Sequence, residues 1–367
     1  MFLQDVFLEN ATHDLYQLVE QNNFRTIDPN FKWDSYIAMS LMQKAIRRGD
    51  VENALFAGRF LFTFNERSFW KRLCVCAIEE IGVANLKLVA QVLIAANDKR
   101  LRKELGGDNR LAQTLLSELC NSPKDRCADD LIDAIENAAQ YPNFKADIAE
   151  KSATEIEKVI ASLSTPLQHR AIAAVQLATG WDNFSSGLRK GHSWSRILNE
   201  LPEDVASPCV TAVSLLGIKR TGALLAPLLT LIYAHKPEAT KCVDDTFLDA
   251  VNISGLPSWV LDGHVRPGLH SFRIYIQRSN RMKQLLARSA TRQVSPAKTV
   301  AGLVFRAESG QLVRKLDWEV GRQLKQQAWA NRPGLPAEVV PEAMSILRSE
   351  FDLLNECRIA AMRNYFR

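Results

Sequence analysis

Apolar residues recur along most of the chain at spacings of three and four, which is the period of one face of an α-helix. The clearest segments span residues 44–64, 69–84, 86–96, 154–163, 166–179, 208–216 and 220–233, and the tail predicts one long amphipathic helix over 341–365. Alternating runs of Val, Ile and Thr are scarce. The sequence therefore predicts an all-α fold, either a multi-helix bundle or an irregular helical stack.

Glycine and proline clusters interrupt this pattern at residues 106–108, 122–124, 141–143, 180–192, 254–267 and 331–336. The longest of the early interruptions suggests two helical subdomains, one over 1–180 and one over 193–367. A strongly apolar run over 224–233 is broken by Pro227 and flanked by Arg220 and His235. We interpret this run as a buried helix.

Composition places the 367-residue chain among globular proteins, because 47% of it is hydrophobic and 24% is charged. It has no uncharged apolar stretch of the roughly 18 residues that a membrane helix needs. Asp5 and Glu9 occupy an N-terminus without a basic segment, which argues against a secretory signal. Seven scattered cysteines lack a C-x-x-C pair. These features predict a cytoplasmic protein with reduced thiols and no membrane partner.

Two short motifs lie between residues 40 and 85. The first is Ser40-Leu-Met-Gln-Lys44-Ala-Ile-Arg47-Arg48-Gly49-Asp50, and the second is Ala77-Ile-Glu-Glu80-Ile-Gly-Val-Ala-Asn85, preceded by Arg72. Together they resemble the C-terminal helical collar of clamp-loader-like ATPases of the RarA/MgsA type, although Glu80 stands where that family usually has Asp. The resemblance implies a helical scaffold, a homo-oligomer and a context of replication or repair. The chain lacks G-x-x-x-x-G-K-[ST], so we do not expect an ATPase.

The residues of the first motif also have a purely structural interpretation. Gly49 can end one helix and Asp50 can cap the next, which leaves Lys44, Arg47 and Arg48 in a last turn where cations are favourable. The alternative is that Lys44, Arg47 and Arg48 contact DNA phosphates. The sequence leaves both interpretations open.

Charge is most uneven over residues 263–307, within a chain of net charge +5. This basic block contains no Asp or Glu but nine cations, namely Arg266, Arg273, Arg278, Arg281, Lys283, Arg288, Arg292, Lys298 and Arg306. Such an imbalance points to an anionic partner, and DNA is the commonest one. We expect the first six to bind DNA. A solvated basic helix, an RNA partner and an acidic protein partner are the alternatives.

A turn rich in Gly and Pro opens the basic block. Its segment Asp262-Gly-His264-Val-Arg266 resembles the D-x-H-V-x-R segment of helix-hairpin-helix DNA glycosylases, whose Asp is catalytic; Leu256-Pro257 matches the start of their L-P-G-V-G hairpin, but Ser258 and Trp259 replace its Gly-Val. The resemblance implies a catalytic Asp262, supported by His264. A carboxylate there would stabilise the positive charge that develops on a sugar when its bond to a base breaks. The alternative is that Asp262 is a turn acceptor or a helix cap.

A base must leave the stack before such an enzyme can act on it, and an aromatic side chain commonly fills the gap. The candidates are Trp259 and the segment 181–194, which interleaves aromatic and cationic side chains in a Gly-rich setting. From that segment we expect Trp181 and Trp194 to stack on bases and Arg189, Lys190 and His192 to bind DNA. Ordinary core packing of these tryptophans is the alternative.

Patterns for a metal or a cofactor are lacking. The six histidines form no H-x-x-x-H or H-E-x-x-H motif, and no G-x-G-x-x-G is present, so we expect neither a metal nor a cofactor. The acidic group Asp244, Asp245 and Asp249 is interpreted as the cap of a helix that follows Val243, with a divalent metal site as the alternative.

The sequence therefore favours a DNA-binding, glycosylase-like hydrolase that removes a modified or damaged base by base flipping. Its DNA would be double-stranded with a flipped base, or single-stranded, in DNA repair or in conflict with phages. The alternative is a non-enzymatic, collar-like module for DNA binding or oligomerisation in replication and recombination.

Overall fold

A computed structural model gives the structure of the protein, and it describes residues 3–22, 32–136, 140–178, 197–199, 201–222, 225–289, 294–331 and 334–365. Helices dominate these residues, and each strand is only two or three residues long. The predicted all-α fold class is confirmed. No helix in the described ranges combines the length and apolar character needed to cross a membrane.

The helices follow one another closely along the chain. In order they are α1 Leu3–Gln21, α2 Ser35–Arg48, α3 Val51–Phe64, α4 Glu66–Cys76, α5 Leu86–Asn97, α6 Lys99–Glu104, α7 Asp108–Asn121, α8 Cys127–Glu136, α9 Pro142–Ala149, α10 Ala153–Ala161, α11 Leu167–Ala178, α12 Pro208–Thr221, α13 Leu225–Tyr233, α14 Arg266–Arg278, α15 Asn280–Ser289, α16 Pro296–Val304, α17 Glu319–Asn331, α18 Val340–Ser349 and α19 Phe351–Tyr365. Two π-helical turns, Ala77–Ile81 and Phe305–Ser309, extend α4 and α16, and 3₁₀ turns cover Gly82–Ala84, Ser258–Val260 and Ala337–Val339.

Within the described ranges, four short strands form two antiparallel pairs. The strand β1 (Lys241–Val243) pairs with β4 (Lys315–Asp317), with Lys241 opposite Asp317. The strand β2 (Asn252–Ile253) turns through Ser254 and Gly255 into β3 (Leu256–Pro257), and both turn residues have positive φ, as a tight hairpin with a two-residue loop requires. The segment between Val243, where β1 ends, and Asn252, where β2 begins, is therefore a loop and not a helix, so the expected cap by Asp244, Asp245 and Asp249 is wrong.

Buried apolar side chains gather in two clusters. The larger runs from Ala11 to Val265 and also takes in Leu316, Trp318, Leu324 and Met362, so it includes residues on both sides of the boundary suggested at 180–192. The smaller runs from Phe272 to Cys357 and holds the helices of the basic block against the C-terminal helices. The apolar run before Tyr233 is buried as expected, because Ala226 to Ile232 of α13 all lie inside the larger cluster or beside it.

The junction between α2 and α3 forms as predicted. Gly49 takes a left-handed conformation with φ of 68° and ends α2, and the Asp50 carboxylate accepts the Asn53 N–H and caps α3.

Two predicted helices differ in the structure. The first, predicted over 220–233, is broken at Gly222, which also has positive φ and ends α12.

The single long tail helix predicted over 341–365 is instead two helices. They meet at Glu350, whose carboxylate accepts hydrogen bonds from the Tyr275 hydroxyl at 2.9 Å and the Ser279 hydroxyl at 2.5 Å. The break places this carboxylate against α14, where Tyr275 lies in the helix and Ser279 follows its last residue. The periodicity of the apolar residues continues through the break, which is why the pattern alone predicts one helix.

Candidate functional site

A cavity of about 510 Å³ lies where α2 meets the first π-helical turn, the start of α8 and the turn that carries His264. Its volume falls within the range of small-molecule sites. The lining contains the cations Lys44, Arg47, Arg72 and Arg126, the carboxylates Glu79, Asp129 and Asp133, and the side chains of Tyr36, Met39, Ser40, Gln43, His264 and Phe305. The collar-like segment and the Asp262 turn, distant in sequence, therefore meet at one place.

One face of α2 forms a wall of the cavity. Tyr36, Ser40, Gln43 and Arg47 follow one another at spacings of four, three and four, which aligns them on a single helical face. Asp34 fixes the start of this helix by accepting the Ile37 N–H at 2.9 Å. Tyr36 in the first turn leaves 64% of its surface exposed, so an aromatic ring stands at the mouth of the cavity.

Glu80 holds two arginines together beneath the cavity. Its carboxylate is 0% exposed and accepts hydrogen bonds at 2.8 Å from Arg47 Nε and from Arg126 Nη1. Burial pushes the pKa of Glu80 upward, but Arg126 and Arg47 outweigh it and hold this pKa well below its usual range. A buried charge needs such partners, so this network ties α2, the first π-helical turn and Arg126 into one unit.

Glu79, the neighbour of Glu80, has a different environment. Its side chain is 14% exposed and lines the cavity, where it accepts hydrogen bonds from Gln43 at 2.8 Å, Arg126 at 3.1 Å and Arg47 at 3.2 Å. Burial and the negative charge of Glu80 raise the pKa of Glu79. Two adjacent carboxyl groups whose pKa values are pushed apart are typical of acid–base sites, and π-helical turns are also frequent at such sites.

Asp262 is sealed beneath the cavity and does not line it. Its carboxylate is 1% exposed and accepts hydrogen bonds from the His264 N–H at 2.9 Å and from His264 Nδ1 at 3.0 Å, while Lys44 Nζ lies 3.0 Å from Oδ2. These partners lower the pKa of Asp262 well below its usual range, against the effect of burial. The expectation of a carboxylate that touches a sugar is therefore corrected, because the turn acceptor is the role that the structure gives Asp262.

His264 is the side chain through which Asp262 reaches the cavity. Its ring is 74% exposed and forms part of the lining. An ionised carboxylate only accepts hydrogen bonds, so Nδ1 carries the proton in the bond to Asp262. In the neutral ring, Nε2 is then left as a proton acceptor, which is the arrangement of a general base with an orienting carboxylate.

A glycine allows α14 to start directly against the Asp262 turn. A Cβ atom at Gly268 would lie 1.9 Å from the carbonyl oxygen of Asp262, so no other residue fits there without displacement. This close approach fixes the turn between Val260 and Val265, from which His264 projects.

The cations of α2 do not face solvent as DNA contacts would. Lys44 is buried and donates a hydrogen bond to the Ser40 hydroxyl, and burial lowers its pKa against the opposing effect of Asp262. Arg47 is buried in the network with Glu80. Arg48 donates to the Glu308 carbonyl oxygen at 2.8 Å and lies over the Trp259 ring, 5.2 Å from its centre. The expectation that these three bind phosphates is therefore corrected.

Trp259 is also an interior side chain. It is buried in the larger apolar cluster, with Arg48 against its ring. A ring enclosed in this way cannot enter a base stack, so the expected wedge role of Trp259 is corrected in favour of the core-packing alternative.

Acidic residues from the C-terminal helices balance much of the basic block. Arg278 lies 2.6 Å from Glu356, Arg288 lies 2.6 Å from Glu342, and Arg281 lies 4.0 Å from Glu350. Arg306 is buried, with its guanidinium over the Trp329 ring. The basic block therefore does not form a continuous surface of unpaired positive charge, and the expectation that it does is corrected.

All six of the expected DNA contacts in the block are exposed, but three of them are not paired with an acid. These three are Arg266, Arg273 and Lys283, and none of them forms an ion pair with another described residue. Arg266 and Arg273 are seven residues apart on α14, so they share one helical face. Arg266 is two residues from His264 in sequence, so the start of α14 lies close to the turn that lines the cavity.

Several expected site residues lie outside the described residues. These are Trp181, Arg189, Lys190, His192, Trp194 and Arg292. Their expected roles in stacking and DNA binding stay predictions.

Sequence reasoning missed a part of the cavity. Tyr36, Glu79, Arg126, Asp129, Asp133 and Phe305 were not expected at a site, and Arg72 entered only through the resemblance. One local signal was present: Glu79-Glu80 are consecutive acids inside an otherwise apolar segment, where burial forces each to find a partner. The partners of these acids lie on helices that are distant in sequence, so no local pattern predicts them.

Comparison with known proteins adds no relative, since no protein-family model, no curated protein and no solved structure matches the chain. The two resemblances stated from the sequence, to the collar and to the glycosylase segment, therefore stay predictions.

Proposed function

We propose that the protein is a DNA-binding hydrolase that breaks the bond between a base and its sugar, and that the cavity is its active site. The observation that supports this most is the meeting, in one cavity, of Glu79 with a raised pKa and of His264 oriented by a buried carboxylate. The substrate would be a nucleotide turned out of a DNA strand, since a base inside a duplex cannot enter a cavity.

In the proposed reaction, the oxygen of a water molecule forms a bond to the anomeric carbon of the sugar. His264 Nε2 accepts a proton from that water, and Asp262 stabilises the charged imidazole ring that results. The bond between that carbon and the base breaks, and its electron pair leaves with the base. Glu79 donates the proton that the departing base requires. Asp262 is thus a positioning residue, whereas Glu79 and His264 contact the reacting groups.

The exposed face of α14 would bind the phosphates on either side of the target nucleotide. Arg266 and Arg273 are exposed on one side of this helix, without acidic partners among the described residues. Such contacts give affinity that falls steeply with salt and carry no sequence information. The cavity would supply the selectivity for the base.

The proposal is tested by measuring the release of free base from single- and double-stranded oligonucleotides that each carry one deaminated, alkylated or oxidised base. We expect release from at least one of them. Replacing a general acid or a general base lowers rates by about 10²–10⁴, so Glu79→Gln, which removes the acid, and His264→Gln, which removes the base, should each lower the rate at least 100-fold, about the lower end of that range. Glu20→Gln, an exposed carboxylate on α1, is the matched control and should retain the parent rate.

Two results would contradict this proposal. If the protein binds the oligonucleotides but releases no base from any of them, it is not such an enzyme. If Glu79→Gln releases base as fast as the parent, Glu79 is not the acid.

One observation favours the second candidate function, a non-enzymatic collar-like module. The network of Arg47, Glu80 and Arg126 ties several helices of the collar-like segment together, which a rigid scaffold also requires. In this case we expect a defined oligomer by light scattering and DNA binding without base release. A monomer at all concentrations would argue against a collar role.

A further inference from the structure

Arg72 differs from the other arginines of the cavity in the number of its partners. Arg47 and Arg126 each bond to carboxylates of Glu79 and Glu80. Arg72 lines the same cavity, yet its one hydrogen bond to a described residue goes from Nη2 to the neutral Gln43 side chain. Its Nε is buried without a partner among the described residues. A guanidinium has five N–H groups, so most of the donors of Arg72 are not used by the residues that the structure describes.

The wall around Arg72 favours an anion. Lys44 also lines the cavity, where burial and the charge of Arg72 lower its pKa, but Lys44 is already paired with Asp262. Arg72 has no such carboxylate partner among the described residues, so an anion that enters the cavity would stabilise its charge. The planar fork of a guanidinium matches the oxygens of a phosphate, which makes a phosphate the best fit among common anions.

Tyr36 gives the second half of the recognition. It stands at the mouth of the cavity on the same face of α2 as Gln43, which contacts Arg72. An exposed aromatic ring and a cationic group that line one cavity can hold one nucleotide, since the base stacks on the ring and the phosphate binds the cation. The size of the cavity also suits a single nucleotide better than a longer segment.

We propose that Arg72 and Tyr36 form a nucleotide-binding subsite, in which Arg72 binds the phosphate and Tyr36 stacks on the base. The inference rests on the proposed function only in its choice of DNA as one source of the nucleotide. A free nucleoside monophosphate presents the same chemistry, and the experiment separates the two sources.

The test is calorimetric titration of the full chain with four ligand types. They are the deoxynucleoside 5′-monophosphates, the matching nucleosides, inorganic phosphate, and a short single-stranded oligonucleotide. We expect at least one monophosphate, or the oligonucleotide, to bind at least tenfold more tightly than the nucleoside and than phosphate alone. Binding of the oligonucleotide alone would identify the strand as the source, and binding of the monophosphate would identify the free nucleotide.

Variants assign the two roles. Arg72→Gln should remove the advantage of the phosphate-bearing ligand over the nucleoside. Lys71→Gln is the matched control, because Lys71 is an exposed cation on the same helix and does not line the cavity. Tyr36→Ala should weaken binding of the nucleotide at least tenfold, whereas Tyr36→Phe, which keeps the ring, should leave its affinity unchanged.

The inference is overturned if none of the four ligand types binds, or if Arg72→Gln binds the phosphate-bearing ligand as tightly as the parent. These measurements do not require hydrolysis. Binding that depends on Arg72, without release of a base, would therefore support this subsite and contradict the proposed reaction.

Discussion

Two groups of cations in this protein look alike in sequence and differ in the structure. The cations at the end of α2, Lys44, Arg47 and Arg48, form bonds inside the chain. Those of α14 and α15 lie at the surface, where Arg278 and Arg288 pair with exposed acids. The comparison teaches that a run of basic residues does not by itself mark a surface for nucleic acid. The positions of the acids in the folded chain decide it.

The difference has energetic consequences. Removing one partner from a buried ion pair leaves an uncompensated charge and costs about 3–5 kcal/mol, whereas an exposed pair contributes about 0–1 kcal/mol. Substitutions in the two groups should therefore differ in their effect on stability.

The largest effect is expected for Glu80→Ala. This substitution removes the fully buried carboxylate that Arg47 and Arg126 share and leaves them Glu79 at longer distances, so the free energy of unfolding should fall by about 3–5 kcal/mol. Urea unfolding at neutral pH measures it, with Glu20→Ala as an exposed control that should change stability by less than about 0.5 kcal/mol. A loss below about 1 kcal/mol for Glu80→Ala would mean that the network is not held as described.

Asp262→Asn should come next, with a loss of about 3 kcal/mol, because Lys44 loses its countercharge while the side-chain oxygen can still accept the His264 N–H. Adding Lys44→Met should restore part of that loss, since the uncompensated charge is then gone. A double variant whose loss equals the sum of the two single losses would show that Lys44 and Asp262 do not interact.

DNA binding should separate the exposed cations from the paired ones. Replacing Arg266 and Arg273 together by Ala should lower the slope of log affinity against log salt by about 2, because each phosphate contact contributes close to one unit. Replacing Arg278 and Arg288 should leave the slope nearly unchanged, since their charges are already balanced. Fluorescence anisotropy at several salt concentrations measures these slopes. Equal changes in slope for the two double variants would contradict the distinction between exposed unpaired cations and paired ones.

A smaller effect concerns a partly buried acid, Asp130, that lacks an ion pair with any described residue. Burial raises the pKa of Asp130 to about 7, although Arg126 opposes the shift. The folded protein then holds a proton that the unfolded chain releases, so this contribution to stability is complete below about pH 4 and is lost as the pH rises through 7. Asp130→Asn should flatten the dependence of unfolding free energy on pH in this window. An unchanged slope would argue against the raised pKa.

The smallest effect is expected for Arg288→Ala, which breaks the exposed pair with Glu342. The loss should be about 0.2–1 kcal/mol in the same urea experiment. A loss as large as that of Glu80→Ala would erase the energetic difference between the two groups of cations.

The sequence predicted those features of the fold that depend on near neighbours. The helical period and the junction at Gly49 and Asp50 are examples, because a left-handed glycine and a capping carboxylate act within a few residues. It did not predict the break at Glu350, where Tyr275 and Ser279 bind the carboxylate from another helix. Local periodicity carries no information about such contacts.

The same limit applies to the site. The sequence singled out Asp262, His264 and Lys44, and these three residues do lie together. Their roles differ from those expected, because Lys44 pairs with Asp262 instead of a phosphate and Asp262 orients His264 instead of touching a sugar. The sequence could not show that Lys44 would neutralise Asp262, or that Tyr36 and Glu79 would share the cavity with His264. Each of these relations joins segments that only the packing of helices brings together.

The most direct test of the account is a crystal structure of the Glu79→Gln variant with an oligonucleotide that the parent protein binds. We predict one nucleotide in the cavity, with its base against Tyr36, its sugar beside His264 and its phosphate on Arg72. A strand that crosses α14 while no nucleotide enters the cavity would contradict the claim that these residues form one active site.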